Sequence, residues 1–236
     1  MTNRTFALAT LLGLITLLVG TFATGPANAG LIQVGTRAAI GADLTVNWGL
    51  FGPAGTVLSC FCSQTAGPID VHINGSSGEL DRFDEGTDYT GNFAKGDQLL
   101  SQPFLSDIMT VGFSAPIFGF GTQIQPLGYT GAFTAYITVL LNDGPNQTFT
   151  VTGNSTTAED NSAPFIGLTS SVADITAIQF LVDIGNANFP KEGALAINQM
   201  DVDVAHAVPE PLTFSLFGAG LAGLAVMRRR KRNLQA

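Results

Sequence analysis

Hydrophobic and polar residues alternate along the middle of the chain, most regularly in residues 131–141. The apolar positions of this segment are Phe133, Ala135, Ile137, Val139 and Leu141, and the positions between them include Thr134, Tyr136 and Thr138. A period of two is typical of a β-strand that buries one face. Residues 142–146 supply Asn, Asp, Gly and Pro for a turn, and residues 147–152 alternate again. The pattern therefore predicts a β-hairpin.

The same alternation recurs in further segments, which are separated by clusters of Gly, Pro, Asn or Asp. They are residues 43–48, 56–62, 69–73, 108–113, 118–125, 165–169, 175–184 and 194–204. The sequence between residues 30 and 208 has no strong helical period. About ten short strands joined by turn residues are typical of an all-β domain. We predict a jelly-roll-like antiparallel β-sandwich over residues 30–204.

The N-terminal residues have the pattern of a secretory signal peptide. A basic residue precedes an uncharged run at residues 6–22, which is followed by a helix-breaking Gly-Pro pair. Small residues, Ala27 and Ala29, then occupy the positions that enter a signal peptidase pocket. We therefore predict a signal peptide of residues 1–29 that is cleaved after Ala29.

The C-terminal residues combine an apolar run with a basic end. Residues 212–227 contain no charge, and five basic residues follow directly: Arg228, Arg229, Arg230, Lys231 and Arg232. A helix of this length rises about 24 Å, and long basic side chains extend its reach toward the roughly 30 Å of a hydrocarbon core. The positive-inside rule keeps the tail at residues 228–236 in the cytoplasm. We predict a transmembrane helix at residues 212–227, with the domain at residues 30–204 outside the cell.

A short linker, residues 205–211, joins the predicted domain to this helix and ends in Pro209, Glu210 and Pro211. Pro-Glu-Pro, a short Gly- and Ala-rich apolar helix and a terminal basic cluster, in this order, resemble the PEP-CTERM sorting signal of exported bacterial proteins. The resemblance implies recognition by an exosortase, an integral-membrane cysteine transpeptidase that cuts near the Pro-Glu-Pro element. Two prolines keep the segment extended, as a protease cleft requires. The alternative is a single-span membrane protein that is never cleaved.

A second resemblance covers much of the middle of the chain. Residues 46–49, 91–100, 119–124 and 194–201 are similar to segments of exported PEP-CTERM proteins of unassigned function. The resemblance implies a β-sandwich but no reaction. Tyr89 stands just before the Gly-Asn-Phe segment, where such proteins often have Trp.

The charge of the chain excludes one class of partner. Between residues 30 and 208 there are four basic and seventeen acidic residues, so this region carries a net charge of −13. An acidic surface repels the phosphate backbone of nucleic acids. We therefore expect no nucleic-acid partner.

One loop is a candidate calcium site. Four carboxylates lie close together in the sequence at Asp81, Asp84, Glu85 and Asp88, and calcium prefers oxygen ligands. Their order does not match the twelve-residue loop of a helical calcium hand, and the alternative is an acidic surface loop. Two further acids of the last predicted strand, Asp201 and Asp203, either join this site or form the solvent face of that strand.

The two cysteines, Cys60 and Cys62, are separated by one residue. Export makes a disulfide chemically accessible. Residues two apart in a strand have Cα atoms about 6.5–7 Å apart, at the upper edge of disulfide geometry, so a bridge requires a bend. The pair is thus either a strained disulfide or two thiols. No zinc site is expected, because His72 and His206 are not suitably spaced.

No catalytic motif is recognisable in the sequence, and we predict that the protein is not an enzyme. It has two histidines and no nucleophile elbow, zinc-protease helix or phosphate loop. The leading hypothesis is an exported protein of the cell envelope or extracellular matrix, with a binding or structural role. Exopolysaccharide or another matrix component is the expected partner, which the PEP-CTERM resemblance implies and the Thr-, Asn- and Gly-rich loops favour. The alternative from another class is a secreted carbohydrate-active enzyme that uses two carboxylates.

Overall fold

The computed structural model describes residues 30–59, 61–103, 108–185 and 194–204. Within these ranges the β-strands form two antiparallel sheets. The nine-stranded sheet contains β1 (Ile32–Val34), β2 (Leu44–Val46), β3 (Thr56–Leu58), β6 (Leu80–Asp84), β7 (Gln98–Gln102), β9 (Gly119–Pro126), β12 (Phe165–Thr169), β14 (Leu195–Ile197) and β15 (Met200–Asp203). The six-stranded sheet contains β4 (Cys62–Ala66), β5 (Ile69–Gly75), β8 (Met109–Ile117), β10 (Gly131–Leu141), β11 (Gln147–Ser155) and β13 (Ile175–Asp183). Two short 3-10 helices span Arg37–Ala39 and Trp48–Phe51.

The strand order shows that the chain passes repeatedly between the sheets. The nine-stranded sheet has the order β1-β12-β9-β14-β7-β6-β3, with β15 pairing to β9 and to β2. The six-stranded sheet has the order β11-β10-β13-β8-β5-β4. The predicted all-β antiparallel architecture is confirmed, while the jelly-roll topology stays a prediction. In the part of the chain that the structure describes, no helix is both long and apolar enough to cross a membrane. The predicted signal peptide and the predicted transmembrane helix at residues 212–227 lie outside that part.

One hydrophobic core lies between the two sheets. The apolar positions predicted for β10 are buried from Phe133 to Val139, as the alternation requires. Phe120 of the nine-stranded sheet meets Phe180 of the six-stranded sheet edge to face, with ring centroids 6.4 Å apart. Such a pair adds about 0.5–1.5 kcal/mol to the stability gained by burial. The core therefore joins the sheets through contacts distant in sequence.

The predicted hairpin is confirmed as β10 and β11. The two strands pair from Gly131 opposite Ser155 to Val139 opposite Gln147. Gly144, in the turn, has φ of 113°, a conformation that side chains with a Cβ rarely adopt. The Asn- and Gly-containing turn thus sets the register of the longest strand pair.

Several short strands differ from the prediction. Residues 56–62 form parts of two strands in different sheets, and residues 194–204 form β14 and β15 with a break at Asn198 and Gln199. Strands β1, β6 and β7 were not predicted. The nine-stranded sheet is covered on both faces, so its strands lack regular alternation of apolar and polar residues.

A second, smaller cluster covers the outer face of the nine-stranded sheet. Its buried residues are Tyr89, Phe93, Leu99, Ala163 and Ala196. Close packing also requires small residues in the sheet. A Cβ at Gly121 would collide with the ring of Phe165. This face of the sheet is therefore interior rather than solvated.

Candidate functional site

The outward side chains of the six-stranded sheet form a mainly polar surface, which we call the polar face. The strand register aligns one side chain from each of five adjacent strands in a single row. This polar row consists of Asn74, Thr110, Gln179, Thr138 and Thr148. Each of these residues either has more deeply buried neighbours in its strand or is itself exposed, so its side chain points away from the core. Adjacent strands lie about 4.8 Å apart, so the row spans about 19 Å.

The polar row is accessible and carries donors and acceptors. Its threonine and amide side chains are half-buried or exposed. The hydroxyls of Thr138 and Thr148 lie 2.9 Å apart and share a hydrogen bond. Hydroxyl and amide groups each both donate and accept hydrogen bonds. The row therefore offers a ligand a line of neutral hydrogen-bonding groups.

The rows on either side complete the polar face. On one side, Tyr136 lies between Thr150 and Leu181. On the other side, Gly112 lies between Ala177 and His72, and its lack of a side chain lowers the surface there. The result is a broad, shallow surface with an aromatic side chain beside the polar row.

An open depression of about 430 Å³ lies at one end of the polar face. Thr134, Thr152, Asp183 and Gly185 are among the residues that line it. Among the described residues, no lysine or arginine side chain lies on the polar face. The face therefore favours an uncharged ligand over an anionic one.

The four sequence segments with the second resemblance meet on the outer face of the nine-stranded sheet. Asn198 belongs to one of them and contacts the other three. Its carbonyl oxygen accepts a hydrogen bond from Trp48 Nε1 at 2.7 Å. Its Nδ2 donates to Asp97 Oδ2 at 3.0 Å and to Gln123 Oε1 at 2.6 Å. These contacts tie segments that are more than 70 residues apart into one buried network.

Asn92 makes a matching set of contacts further along this face. Its Nδ2 donates to Thr156 Oγ1 at 2.7 Å and to Ser162 Oγ at 2.9 Å, and its Oδ1 accepts from the Thr156 backbone N–H. Its own N–H donates to Gln125 Oε1 at 2.7 Å. The Ser162 hydroxyl and the Asn92 amide also hold the pKa of Asp160 below its usual range. Sequence reasoning did not identify the roles of Asn92 and Asn198; the second resemblance was the signal that pointed to their segments.

The structure places the four candidate calcium ligands in and just after β6, where Asp84 and Asp88 contact each other, while Asp81 and Glu85 have other partners. Asp84 lies 2.5 Å from the Arg82 guanidinium, and Asp88 Oδ1 accepts a hydrogen bond from the Asp84 backbone N–H at 2.7 Å. Burial, followed by the charge of Glu79, raises the pKa of Asp81. Within the described ranges no group of three His, Cys, Asp or Glu side chains is arranged to hold a metal ion. Calcium binding at this loop stays a prediction.

The last strand differs from the expected solvent face. Asp201 is 8% exposed and Asp203 is 3% exposed. Asp201 Oδ2 lies 2.6 Å from the Arg37 guanidinium, and its Oδ1 accepts a hydrogen bond from Thr45. The prediction that these acids face solvent is wrong, because the segment around Arg37 packs over β15.

Glu85 is a buried carboxyl with a strongly raised pKa. Its side chain is 1% exposed, Oε1 accepts a hydrogen bond from the Gly91 N–H at 2.6 Å, and Oε2 has no hydrogen-bond partner. Burial raises the pKa of Glu85 to about 7, the Gly91 N–H opposes this shift, and the charges of Glu159 and Asp97 reinforce it. A carboxyl with such a pKa has the proton affinity of a general acid. However, the described residues around it close it off from solvent.

The cysteines and the terminal signals are only partly described. Cys62 is disulfide-bonded and begins β4, whereas Cys60 lies outside the described residues. The bridge between them stays a prediction. The cleavage residues Ala27 and Ala29, the sorting residues Pro209, Glu210 and Pro211, and the basic cluster at residues 228–232 also lie outside the described residues.

Three solved structures have a limited similarity to the chain. CsCBM6-3 from Clostridium stercorarium in complex with cellobiose shares 10% identity over 65% of this chain and 99% of its own, with a TM-score of 0.30. TmCBM61 in complex with β-1,4-galactotriose shares 9% identity over 62% of this chain and 92% of its own, with a TM-score of 0.28. The enzymatically active domain of tailspike protein 4 from Bacteriophage CBA120 shares 14% identity over 75% of this chain and 19% of its own, with a TM-score of 0.24. We infer no ligand or activity from these scores.

The sequence comparisons identify the C-terminal signal. No curated protein matches the chain. The model of the PEP-CTERM protein-sorting motif matches residues 207–231, which include the Pro-Glu-Pro element, the apolar run and most of the basic cluster. The resemblance of the tail is confirmed: the chain carries a PEP-CTERM protein-sorting motif behind a β-rich domain.

Proposed function

We propose that this protein is exported, processed at its C-terminal motif by an exosortase-type membrane transpeptidase, and binds uncharged extracellular polysaccharide through the polar face. The motif at residues 207–231 supports export and processing. The polar row supports the choice of ligand, and it is the observation that carries the binding part of the proposal. The protein acts by binding rather than by catalysis.

The chemistry of the polar row matches that of a neutral polysaccharide. Each sugar of such a polymer presents several hydroxyl groups, which donate and accept hydrogen bonds as Thr, Asn and Gln side chains do. A row of about 19 Å is long enough to contact several sugars in sequence. A uronate polymer would instead meet an acidic domain whose polar face carries Asp70 and Asp183 but no described lysine or arginine. The proposed ligand is therefore an uncharged glycan.

Removing hydroxyls from the polar row should weaken glycan binding. We expect T110A/T138A to bind a neutral hexasaccharide about tenfold more weakly, because each hydrogen bond contributes about 0.5–1.5 kcal/mol. The measurement is isothermal titration of the full chain in detergent with cellohexaose, laminarihexaose and isomaltohexaose, and with an alginate hexamer as the anionic comparison.

The matched control is T87A/T90A, which alters two exposed threonines after β6. This control should bind as the unaltered protein does. Equal weakening by both double variants, stronger binding of alginate, or no binding to any of the three neutral probes would contradict the proposed ligand.

Alanine at Pro209, Glu210 and Pro211 together should block removal of the tail. The expected result in a host with an exosortase is retention of the basic cluster, since the extended Pro-Glu-Pro element is the proposed recognition site. The mass of the protein recovered from the cell envelope measures this directly.

The matched control replaces Asn233, Leu234 and Gln235 with alanine, which changes the same number of residues beyond the basic cluster. Processing of the Pro-Glu-Pro variant at the normal rate would show that the element is not recognised. An intact tail on the unaltered protein would instead indicate an uncleaved single-span protein.

A further inference from the structure

Phe61 is an exposed aromatic residue in a fixed position. Its side chain is 71% exposed, although large apolar side chains are usually buried. Its ring stacks on His72, with the two ring centroids 5.7 Å apart and the planes inclined by 22°. The next residue, Cys62, is disulfide-bonded and begins β4, where it pairs with Ile73 of β5. Phe61 thus presents an ordered apolar surface to solvent.

The strand register places this aromatic pair at one end of the polar row. His72 points outward from β5, because its neighbours Val71 and Ile73 are buried in the core. Asn74, the first member of the polar row, lies two residues further along the same face of β5. Since the Phe61 ring stacks on His72, it lies over the polar face beside Asn74.

A sugar ring has two kinds of surface, and this end of the polar face matches both. Hydroxyl groups project from the edge of the ring, while C–H groups make one or both of its faces apolar. An aromatic ring covers the C–H face and buries apolar area, and nearby polar side chains bond the hydroxyls. An ordered ring also loses little conformational freedom when a ligand binds.

We propose that Phe61 and His72 form the aromatic subsite at one end of the polar row, where one sugar ring of an uncharged polysaccharide stacks on Phe61. This inference rests on the proposed function and adds the position and direction of the ligand. The polysaccharide crosses the strands from β5 toward β11, with its hydroxyls on the polar row. Asp70, two residues before His72 on the same face, disfavours an acidic sugar at this subsite.

The direction of the ligand predicts how binding depends on its length. A disaccharide fills the aromatic subsite and the nearest part of the row, whereas a hexasaccharide extends along the row. Replacing Phe61 should therefore weaken both ligands. Replacing Thr138 and Thr148, at the far end of the row, should weaken the hexasaccharide but not the disaccharide.

The test uses F61A, F61W and T138A/T148A in the full chain, titrated with the best-binding neutral hexasaccharide and the disaccharide of the same linkage. We expect F61A to bind both about tenfold more weakly, and F61W to bind them as the unaltered protein does, because it keeps an aromatic face. The matched control is L50A, since Leu50 is 73% exposed but lies in the 3-10 helix Trp48–Phe51.

The outcomes separate this inference from the proposed function. If the unaltered protein binds the hexasaccharide and F61A binds equally well, the subsite is wrong while the polar face stands. If the unaltered protein binds none of the neutral glycans, the proposed function itself fails. Sedimentation velocity is run on the same samples. A change of oligomeric state in F61A without a change in glycan affinity would assign Phe61 to a contact between copies of the chain and overturn the subsite.

Discussion

Replacing Glu85 with Gln should make the stability of the protein less dependent on pH. We expect the unaltered protein to lose stability between about pH 4.5 and pH 7, and E85Q to lack most of this loss. The pKa of Glu85 is raised from 4.5 to about 7 in the folded protein. Between these values the folded state keeps a proton that the unfolded state has released, so the free energy of unfolding falls as pH rises. The stabilisation is complete below the unfolded pKa and is lost as pH rises through the folded pKa.

The magnitude follows from the size of the pKa difference. About 2.5 pH units at 1.4 kcal/mol each amount to about 3 kcal/mol. The cause is burial: a carboxylate at 1% exposure has lost its hydration, and only Oε1 receives a hydrogen bond from the described chain. Gln keeps an oxygen that can accept from the Gly91 N–H but carries no charge at any pH.

Urea unfolding from pH 4 to pH 9 measures this effect, with the fluorescence of Trp48, the single tryptophan, as the probe. Across this range the free energy of unfolding of E85Q should fall by about 3 kcal/mol less than that of the unaltered protein. D143N, which removes an exposed carboxyl in the hairpin turn, is the control and should leave the curve unchanged. Parallel curves for E85Q and the unaltered protein would show that Glu85 does not carry the pH dependence.

Replacing Asn198 with Asp should destabilise the domain by about 3–5 kcal/mol at pH 8. The substitution exchanges the Nδ2 donor for an oxygen that faces the Asp97 carboxylate and Gln123 Oε1, which now lie 3.0 Å and 2.6 Å from Nδ2. Two hydrogen bonds are lost, and two carboxylates meet in a buried setting. Arg37, which donates to Asn198 Oδ1 at 2.8 Å, offsets part of this cost.

Thermal unfolding followed by Trp48 fluorescence reports on this site directly, because the indole N–H bonds to the Asn198 carbonyl. The control N154D makes the same chemical change at an exposed position on β11 and should have little effect. Lowering the pH to about 4 should restore part of the stability of N198D, since a protonated carboxyl again donates a hydrogen bond. A melting temperature of N198D equal to that of N154D at pH 8 would mean that the network contributes little to stability.

Sequence patterns predicted some features of the candidate site but not others. The alternation of β10 predicted that its apolar positions are buried and that Tyr136 and Thr138 face outward. The structure confirms the outward pair and the burial from Phe133 to Val139, while Leu141 is half-buried. The alternation did not predict that Thr138 lies beside Gln179 and Thr110, because that depends on the pairing of strands far apart in the chain. The prominence of Phe61 was also not predicted, since its stacking partner comes from a neighbouring strand.

The buried acids show the same limit. Asp81, Asp84, Glu85 and Asp88 form one group in the sequence, but in the fold Asp84 pairs with Arg82 and contacts Asp88, while Glu85 is buried. The charge of the buried Asp201 carboxylate is likewise paired with Arg37, which lies 164 residues away in the chain. Burial of a charge depends on what packs over it, and this covering comes from distant segments.

The sequence by itself determined the all-β class, the β10–β11 hairpin and the C-terminal sorting motif, because strand period, turn residues and a short linear signal are local properties. Tertiary structure alone decided the alignment of the polar row, the position of Phe61 at its end, the network around Asn198 and the raised pKa of Glu85. Each of these depends on strand register and on the packing of segments far apart in the chain. A local sequence pattern does not predict these contacts, because they form only when the two sheets pack on a common core.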